Sequence, residues 1–233
     1  MAPKKKNRPL AIFDIDGTIF RSSLLIELTE AFIQEGVFDG SAREVYAGEY
    51  KRWLDRKGSY EEYIEAVVKA FALHLKGVTA GQFMAVAAQV MAFHKNRVYR
   101  YTRDLVAQLK KKGYTLLAIS KSPKAILDLF CSELGFDKVY GVLYELDGNG
   151  SYTGNILYPD IILDKEKVLR RAVEKHGLSL KGSIGVGDTE SDIAFLKHVS
   201  RPICFNPNKK LYAYAKRAKW KVVVERKDAV YEL

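Results

Sequence analysis

The run Leu10-Ala11-Ile12-Phe13, continued by Asp14-Ile15-Asp16-Gly17-Thr18, constrains this chain more than any other stretch. Four apolar residues in succession, closed by a Gly-Thr turn, read as a buried strand. In an open α/β sheet the carboxyl end of such a strand is where ligands bind. This strand therefore delivers two carboxylates, one residue apart, to a ligand-binding edge. Acids crowded there repel each other unless a cation or a shared proton sits between them. A nucleophile, an acid and a metal ligand can all be built from this one turn. The plainer reading is an Asp-rich turn that caps a helix.

Three further segments weigh against the plainer reading. Thr115 to Ser120 is a second apolar strand and ends in a hydroxyl. Ser183-Ile-Gly185-Val-Gly187-Asp188-Thr-Glu-Ser-Asp192 is a third, ending in glycines and two more acids. Lys165 opens the helix that precedes it. Carboxylates, one hydroxyl and one ammonium are what a magnesium-dependent phosphoryl-transfer site needs. In this order, Asp14-x-Asp16-Gly17-Thr18, Ser120, Lys165 and Gly187-Asp188-x-x-x-Asp192 resemble the four motifs of haloacid dehalogenase-superfamily phosphatases. The resemblance runs from about Pro9 to about Trp220. Ala118-Ile-Ser-Lys-Ser-Pro123 and a helical insert straight after the first motif look most like the phosphoserine-phosphatase-like branch.

The alternation of strands and helices implies a Rossmann-like, doubly wound parallel sheet. Strands are expected at 10–15, 115–120, 138–144, 183–187, 202–205 and 221–224. The expected organisation is a basic tail (1–8), an α/β core (9–20 and 98–233) and a helical cap (21–97). In the cap, Leu24, Leu25, Leu28 and Phe32 share one helix face, and Gly36 ends that run. Val45, Tyr46, Tyr50, Trp53 and Leu54 mark a second helix. Ser59 with Glu62, and Thr79 with Gln82, are capping boxes that open two more. The aromatic stripe Phe32, Tyr46, Trp53 and Phe71 reads as cap core rather than as a substrate cage. Leu143 to Gly154, turned at Asp147-Gly-Asn-Gly150, reads as a hairpin.

The 233 residues carry a formal charge of +10, concentrated in two places. Met1 to Arg8 holds four basic residues and no acid, and Lys209 to Asp228 holds eight basic residues against two acids. Basic ends can touch nucleic acid or anionic lipid. The preferred reading is a solvated tail and a cationic surface helix, because Leu211, Tyr214, Ala215 and Ala218 fall on one face that can pack on the sheet. Nucleic acid is therefore not the expected partner. Cys131 and Cys204 lack metal or redox spacing and read as reduced core thiols, which fits a cytoplasmic protein. No window is apolar enough to span a bilayer.

The resemblance implies roles for these residues. Asp14 is the nucleophile and Asp16 the general acid and base. Magnesium is held by the Asp14 carboxylate, the Asp16 backbone carbonyl and Asp188. Asp192 holds metal-bound water or orients Lys165. Ser120 binds phosphate oxygens with Thr18 assisting, and Lys165 stabilises charge on the transferring phosphoryl group; Lys167 nearby is the competing lysine. Gly17 serves the tight turn, and Gly185 and Gly187 allow close backbone approach.

The chain also departs from the family pattern. Gly17 stands where close phosphoserine phosphatases carry serine, and Arg21 stands where an acid would read the substrate amine. Arg21, Ser22 or Ser23 could instead meet the leaving group, against the competing reading that Ser22 or Ser23 caps the first cap helix. The expectation is a magnesium-dependent phosphatase acting on a small phosphorylated metabolite through an aspartyl-phosphate, as a monomer or homodimer. The alternatives are a nucleic-acid-associated or end-processing protein, and a phosphotransferase.

Overall fold

The structure is a computed structural model and describes residues 8–233, so the tail expected at 1–8 falls almost wholly outside the described residues. The chain opens with β1 (Pro9–Phe13), then leaves for α1 (Leu24–Gln34), α2 (Glu44–Leu54), α3 (Tyr60–Leu75) and α4 (Ala80–His94). It returns through α5 (Arg100–Lys111) to β2 (Thr115–Pro123), α6 (Lys124–Leu134) and β3 (Lys138–Val142). A hairpin of β4 (Tyr144–Leu146) and β5 (Tyr152–Ile156) precedes α7 (Pro159–Ile162) and α8 (Lys165–His176). The last stretch holds β6 (Ser179–Gly187), α9 (Ile193–Leu196), β7 (Arg201–Phe205), α10 (Lys209–Ala218), β8 (Lys221–Arg226) and β9 (Ala229–Glu232).

Seven strands form one sheet in the order β3-β2-β1-β6-β7-β8-β9. All pairings are parallel except that of β8 with β9. From β1 the order runs outward to β3, and from β6 it runs the other way to β8. The reversal lies between β1 and β6, and an open α/β sheet binds ligands in the crevice at such a point. Side chains alternate across the sheet, so each face carries its own apolar layer. Ala11, Phe13, Leu116 and Ala118 meet α5 and α6 on one face, and that layer continues into α1, α3 and α4. Leu10, Ile12, Leu117 and Ile119 meet α8, α9 and α10 on the other.

Both capping boxes are present: Ser59 Oγ accepts from Glu62 N at 3.2 Å, and Thr79 Oγ1 accepts from Gln82 N at 3.2 Å. Leu24, Leu25, Leu28 and Phe32 are all buried. Leu211 and Ala215 of α10 are fully buried, as a sheet-packing face requires. The hairpin forms around Asp147, whose Oδ1 accepts from Asn149 N and Ser151 N at 2.9 and 3.0 Å. β9 has no counterpart in the sequence reading. Its turn, Lys227-Asp228, carries no glycine, and Lys227 itself takes the left-handed conformation (φ 53°).

The second helix departs from expectation in its packing. Of its apolar stripe only Tyr46 is buried, while Tyr50 and Leu54 are 41% and 54% exposed.

The two passages between sheet and helices run side by side. Arg21 N donates to Arg97 O at 2.8 Å, and Tyr99 N donates to Ile19 O at 2.9 Å. Glu225 of β8 fastens both. Its carboxylate takes Arg21 Nη2 at 2.6 Å and the backbone N–H groups of Arg100 and Tyr101 at 3.2 and 2.8 Å.

Candidate active site

β1, β2 and β6 end beside one another, and their terminal residues meet the first residue of α8. Asp14 follows β1 and stays in the ladder, its N–H donating to Val186 O at 2.9 Å. Its side chain is 4% exposed. Lys165, 6% exposed, donates from Nζ to Asp14 Oδ1 at 2.6 Å and to Asp192 Oδ1 at 2.5 Å. Burial alone would lower the ammonium's pKa, but the two carboxylates outweigh it and raise it, so Lys165 stays charged. Lys167, the competing lysine, points its Nζ at Asp160 O on the exposed side of the helix.

Asp14, Asp188 and Asp192 each bring a carboxylate oxygen within 4.8 Å of the others. Three acids and one lysine leave negative charge in excess. Burial, reinforced by Asp192 and Asp16, pushes Asp14 up to about 7 despite Lys165. Burial, reinforced by the carboxylates of Asp14 and Asp192, also raises Asp188 well above the usual carboxylate range. Asp192 has both oxygens committed, Oδ1 to Lys165 and Oδ2 to the N–H groups of Asp188 and Thr189 at 2.9 and 3.0 Å. Of its two expected roles, these bonds serve the orienting of Lys165. Gly187 permits this, since a Cβ there would lie 2.5 Å from the Asp192 carboxyl carbon. Gly17 takes φ +78°, and a side chain there would run into the Asp188 carboxylate.

Asp16 turns its carboxylate away from that cluster, which leaves only its backbone carbonyl for a metal. Oδ1 accepts from Leu24 N at 2.6 Å, and Oδ2 accepts from Ser120 Oγ at 2.5 Å and Ser122 Oγ at 2.8 Å. Burial raises its pKa, partly offset by those three donors. Asp16 thus serves the first N–H of α1. The expected cap does not form: Ser23 occupies the capping position with no side-chain bond.

Four of the expected site residues make these contacts in the structure. Thr18 is fully buried, and its hydroxyl donates to Asp188 Oδ1 at 3.1 Å rather than facing the cleft. Ser120 is 3% exposed and donates to Asp16. Arg21 pairs with Glu225 and Val98 O at the chain passage. Ser22 stands apart from the cleft over Asp14, whereas Ser23 lines it.

That cleft measures about 40 Å³. It is also lined by residues the sequence did not single out: Lys121, Ser122, Tyr60, Glu61 and Ile64. Lys121 Nζ pairs with the Glu61 carboxylate, tying the end of β2 to the first turn of α3. Ser122 Oγ accepts from Leu25 N at 3.1 Å as well as donating to Asp16. The sequence signal for Lys121 and Ser122 was their place in the run Ala118 to Pro123, which gave them no role of their own. Glu61 carried none, because its partner is sixty residues away. The Tyr60 hydroxyl is held neutral by burial and by the carboxylates of Asp16, Asp188 and Asp14. None of the four histidines lines the cleft.

A sheet with its crevice at β1/β6, carrying acids at two strand ends, a serine at a third and a lysine opposite, defines a class of hydrolase fold. The family model for haloacid dehalogenase-like hydrolases matches residues 11–197, and the chain belongs to that family. A histidinol-phosphatase of Neisseria meningitidis serogroup C is 26% identical over 219 residues, covering 92% of this chain and 97% of that one. A phosphoserine phosphatase of Albidiferax ferrireducens is 26% identical over 202 residues, covering 84% of this chain and 78% of that one. A solved phosphoserine phosphatase carrying a phospho-aspartyl intermediate analogue superposes with a TM-score of 0.61 at 20% identity, over 96% of each chain. Among the described residues no helix is long and apolar enough to cross a membrane.

Proposed function

We propose that this protein is a magnesium-dependent phosphatase of small phosphorylated metabolites, working through an aspartyl-phosphate on Asp14. The observation that carries the reading is the excess of buried carboxylate: Asp14, Asp188 and Asp192 share one ammonium. The donor set fits magnesium, a hard cation that prefers oxygen ligands. Among the described residues, Asp14 and Asp188 each keep an oxygen without a protein donor, and their raised pKa values mark a site that favours a further positive charge. Asp14, the Asp16 carbonyl and Asp188 would hold the ion, which when bound neutralises the approach of one anion to another.

The chain's own residues do the rest. An Asp14 carboxylate oxygen attacks phosphorus, a P–O bond forms, and the bond to the leaving alkoxide breaks. Lys165 holds Asp14 in one orientation and offers positive charge as it builds on the phosphoryl oxygens. Asp16 gives its proton to the alkoxide. Its raised pKa favours carrying that proton, and its bonds to Ser120, Ser122 and Leu24 fix its direction. Water then attacks the acyl phosphate, Asp16 takes the water's proton, and Asp14 is released with inorganic phosphate. Lys121 supplies donors beside Ser120 for phosphate oxygens. The segment 21–97 acts as a cap that excludes water during the first step.

The small cleft favours a small phosphoryl-bearing group over a polymer. The names of the matched relatives, phosphoserine phosphatase and histidinol-phosphatase, agree with small phosphomonoesters. The test is phosphate release from p-nitrophenyl phosphate, with and without magnesium, by wild type and Asp14→Asn. Magnesium-dependent turnover that the variant loses supports the reading. Turnover that persists in a folded Asp14→Asn variant overturns it.

A further inference from the structure

The helices over the cleft contain two groups of aromatic rings with opposite fates. Phe32, Phe38, Phe71 and Phe83 are at most 2% exposed and pack on each other at 4.6 to 6.3 Å between ring centres. They are core. The second group, Tyr50, Trp53, Tyr60 and Tyr63, is equally close-packed: Trp53 stacks on Tyr63 at 5.6 Å with 12° between planes, and Tyr50 lies 5.1 Å from Tyr63. Yet this group does not seal. Tyr50 is 41% exposed, and Trp53 and Tyr60 are only half-buried. With Tyr99 and Arg21 they line an open-mouthed chamber of about 410 Å³.

The chamber adjoins the phosphoryl site. Tyr60 and Asp188 line both the chamber and the cleft over Asp14. The cleft, about 40 Å³, has room for a few water molecules, since one needs about 10–15 Å³. A leaving group of any size extends beyond the cleft, and the chamber continues from it through the two shared residues, Tyr60 and Asp188. An apolar cavity of about 150 Å³ accepts benzene, so this one holds a ring with its linker.

Resting on the phosphatase reading, we infer that this chamber receives the leaving group and selects esters whose alcohol carries a flat aromatic or heteroaromatic ring. Stacked rings with uncovered faces gain most from a further ring laid against them at offset or edge geometry. The Arg21 guanidinium lies 4.8 Å from the Tyr99 ring centre with its charge matched by Glu225, so this wall is a flat group already laid against a ring, beside which a further ring can stack. Trp53, expected as cap core, packs on that core through Tyr63 and also lines the chamber.

The test compares 2-phenylethyl phosphate with 2-cyclohexylethyl phosphate, which has similar size but no π face, and with phosphocholine, which is cationic. Binding is read in Asp14→Asn/Trp220→Phe by quenching of Trp53, since Trp220 packs on Tyr214 in the other apolar layer. The phenyl ester should bind about twofold to twelvefold tighter than the cyclohexyl ester, the factor that a stacking gain of about 0.5–1.5 kcal/mol gives. The same preference should appear in the wild type's kcat/KM, and Tyr63→Leu, checked for folding by its melting transition, should abolish it. Equal binding of the three esters, tighter binding of phosphocholine, or a preference that survives Tyr63→Leu overturns the chamber assignment. Ring-selective binding without any turnover overturns the phosphatase reading alone.

Discussion

Asp14→Asn should make the metal-free protein more stable, and only above acidic pH. Asparagine resembles the protonated carboxyl and can still accept from Lys165, so the substitution removes chiefly the burden of ionising this group. The carboxyl moves from 3.8 to about 7 in the fold because burial and the neighbouring Asp192 and Asp16 disfavour its charge more than Lys165 favours it. A tenfold change in proton affinity is worth about 1.4 kcal/mol, so full ionisation costs the native state at most about 4 kcal/mol. Water in the cleft and an effective dielectric near 20 bring this to about 2 kcal/mol. The folded state binds this proton more tightly than the unfolded state. The wild type is therefore unburdened below about pH 4, loses stability as pH rises towards about 7, and stays at the lower level beyond. In EDTA, at about pH 8, the variant should melt about 4–8 °C above wild type, at 2–4 °C per kcal/mol for a chain of this size. The difference should shrink towards zero at about pH 4. Magnesium should raise the wild-type transition at about pH 8 and close the gap. Differential scanning fluorimetry across pH reads all three. A variant less stable than wild type at about pH 8, or a gap that does not change with pH, refutes the reasoning.

Three other outcomes follow from the same contacts. Lys165→Met leaves Asp14 and Asp192 facing each other without their ammonium, and should lower stability by about 3 kcal/mol at about pH 8 and less in acid, where the carboxyls take up protons; chemical denaturation at two pH values measures it. Gly17→Ala combines a left-handed backbone with a clash against Asp188, and should cut kcat by more than about tenfold while costing about 1–3 kcal/mol, separable by steady-state kinetics and melting. Glu225→Ala unfastens Arg21 and the start of α5, and should lower stability by about 1–3 kcal/mol through the donors it strands, with limited proteolysis near Arg97 to Arg100 faster than in wild type.

Much of the site was legible because its parts end short, local patterns. An apolar run closed by Asp14-x-Asp16-Gly17 defines a strand and its exit without reference to the rest of the chain. The glycines before Asp188, and the capping boxes at Ser59 and Thr79, are likewise decided within four residues. These local features determined the parallel α/β sheet, the helical insert and the placing of Asp14, Ser120, Lys165 and Asp188 at one edge. The bonding of the site was a different matter. That Thr18 bonds Asp188, that Asp192 bonds Lys165 and that Arg21 bonds Glu225 all depend on partners up to 204 residues away. A hydrogen bond forms between the donor and acceptor that the fold brings within reach and direction, and sequence does not carry that distance. The stripe of α2 makes the same point for packing. Its period marks an apolar face, but a face is core or cavity according to whether another element covers it, and only the tertiary structure left Tyr50 and Trp53 uncovered beside the cleft.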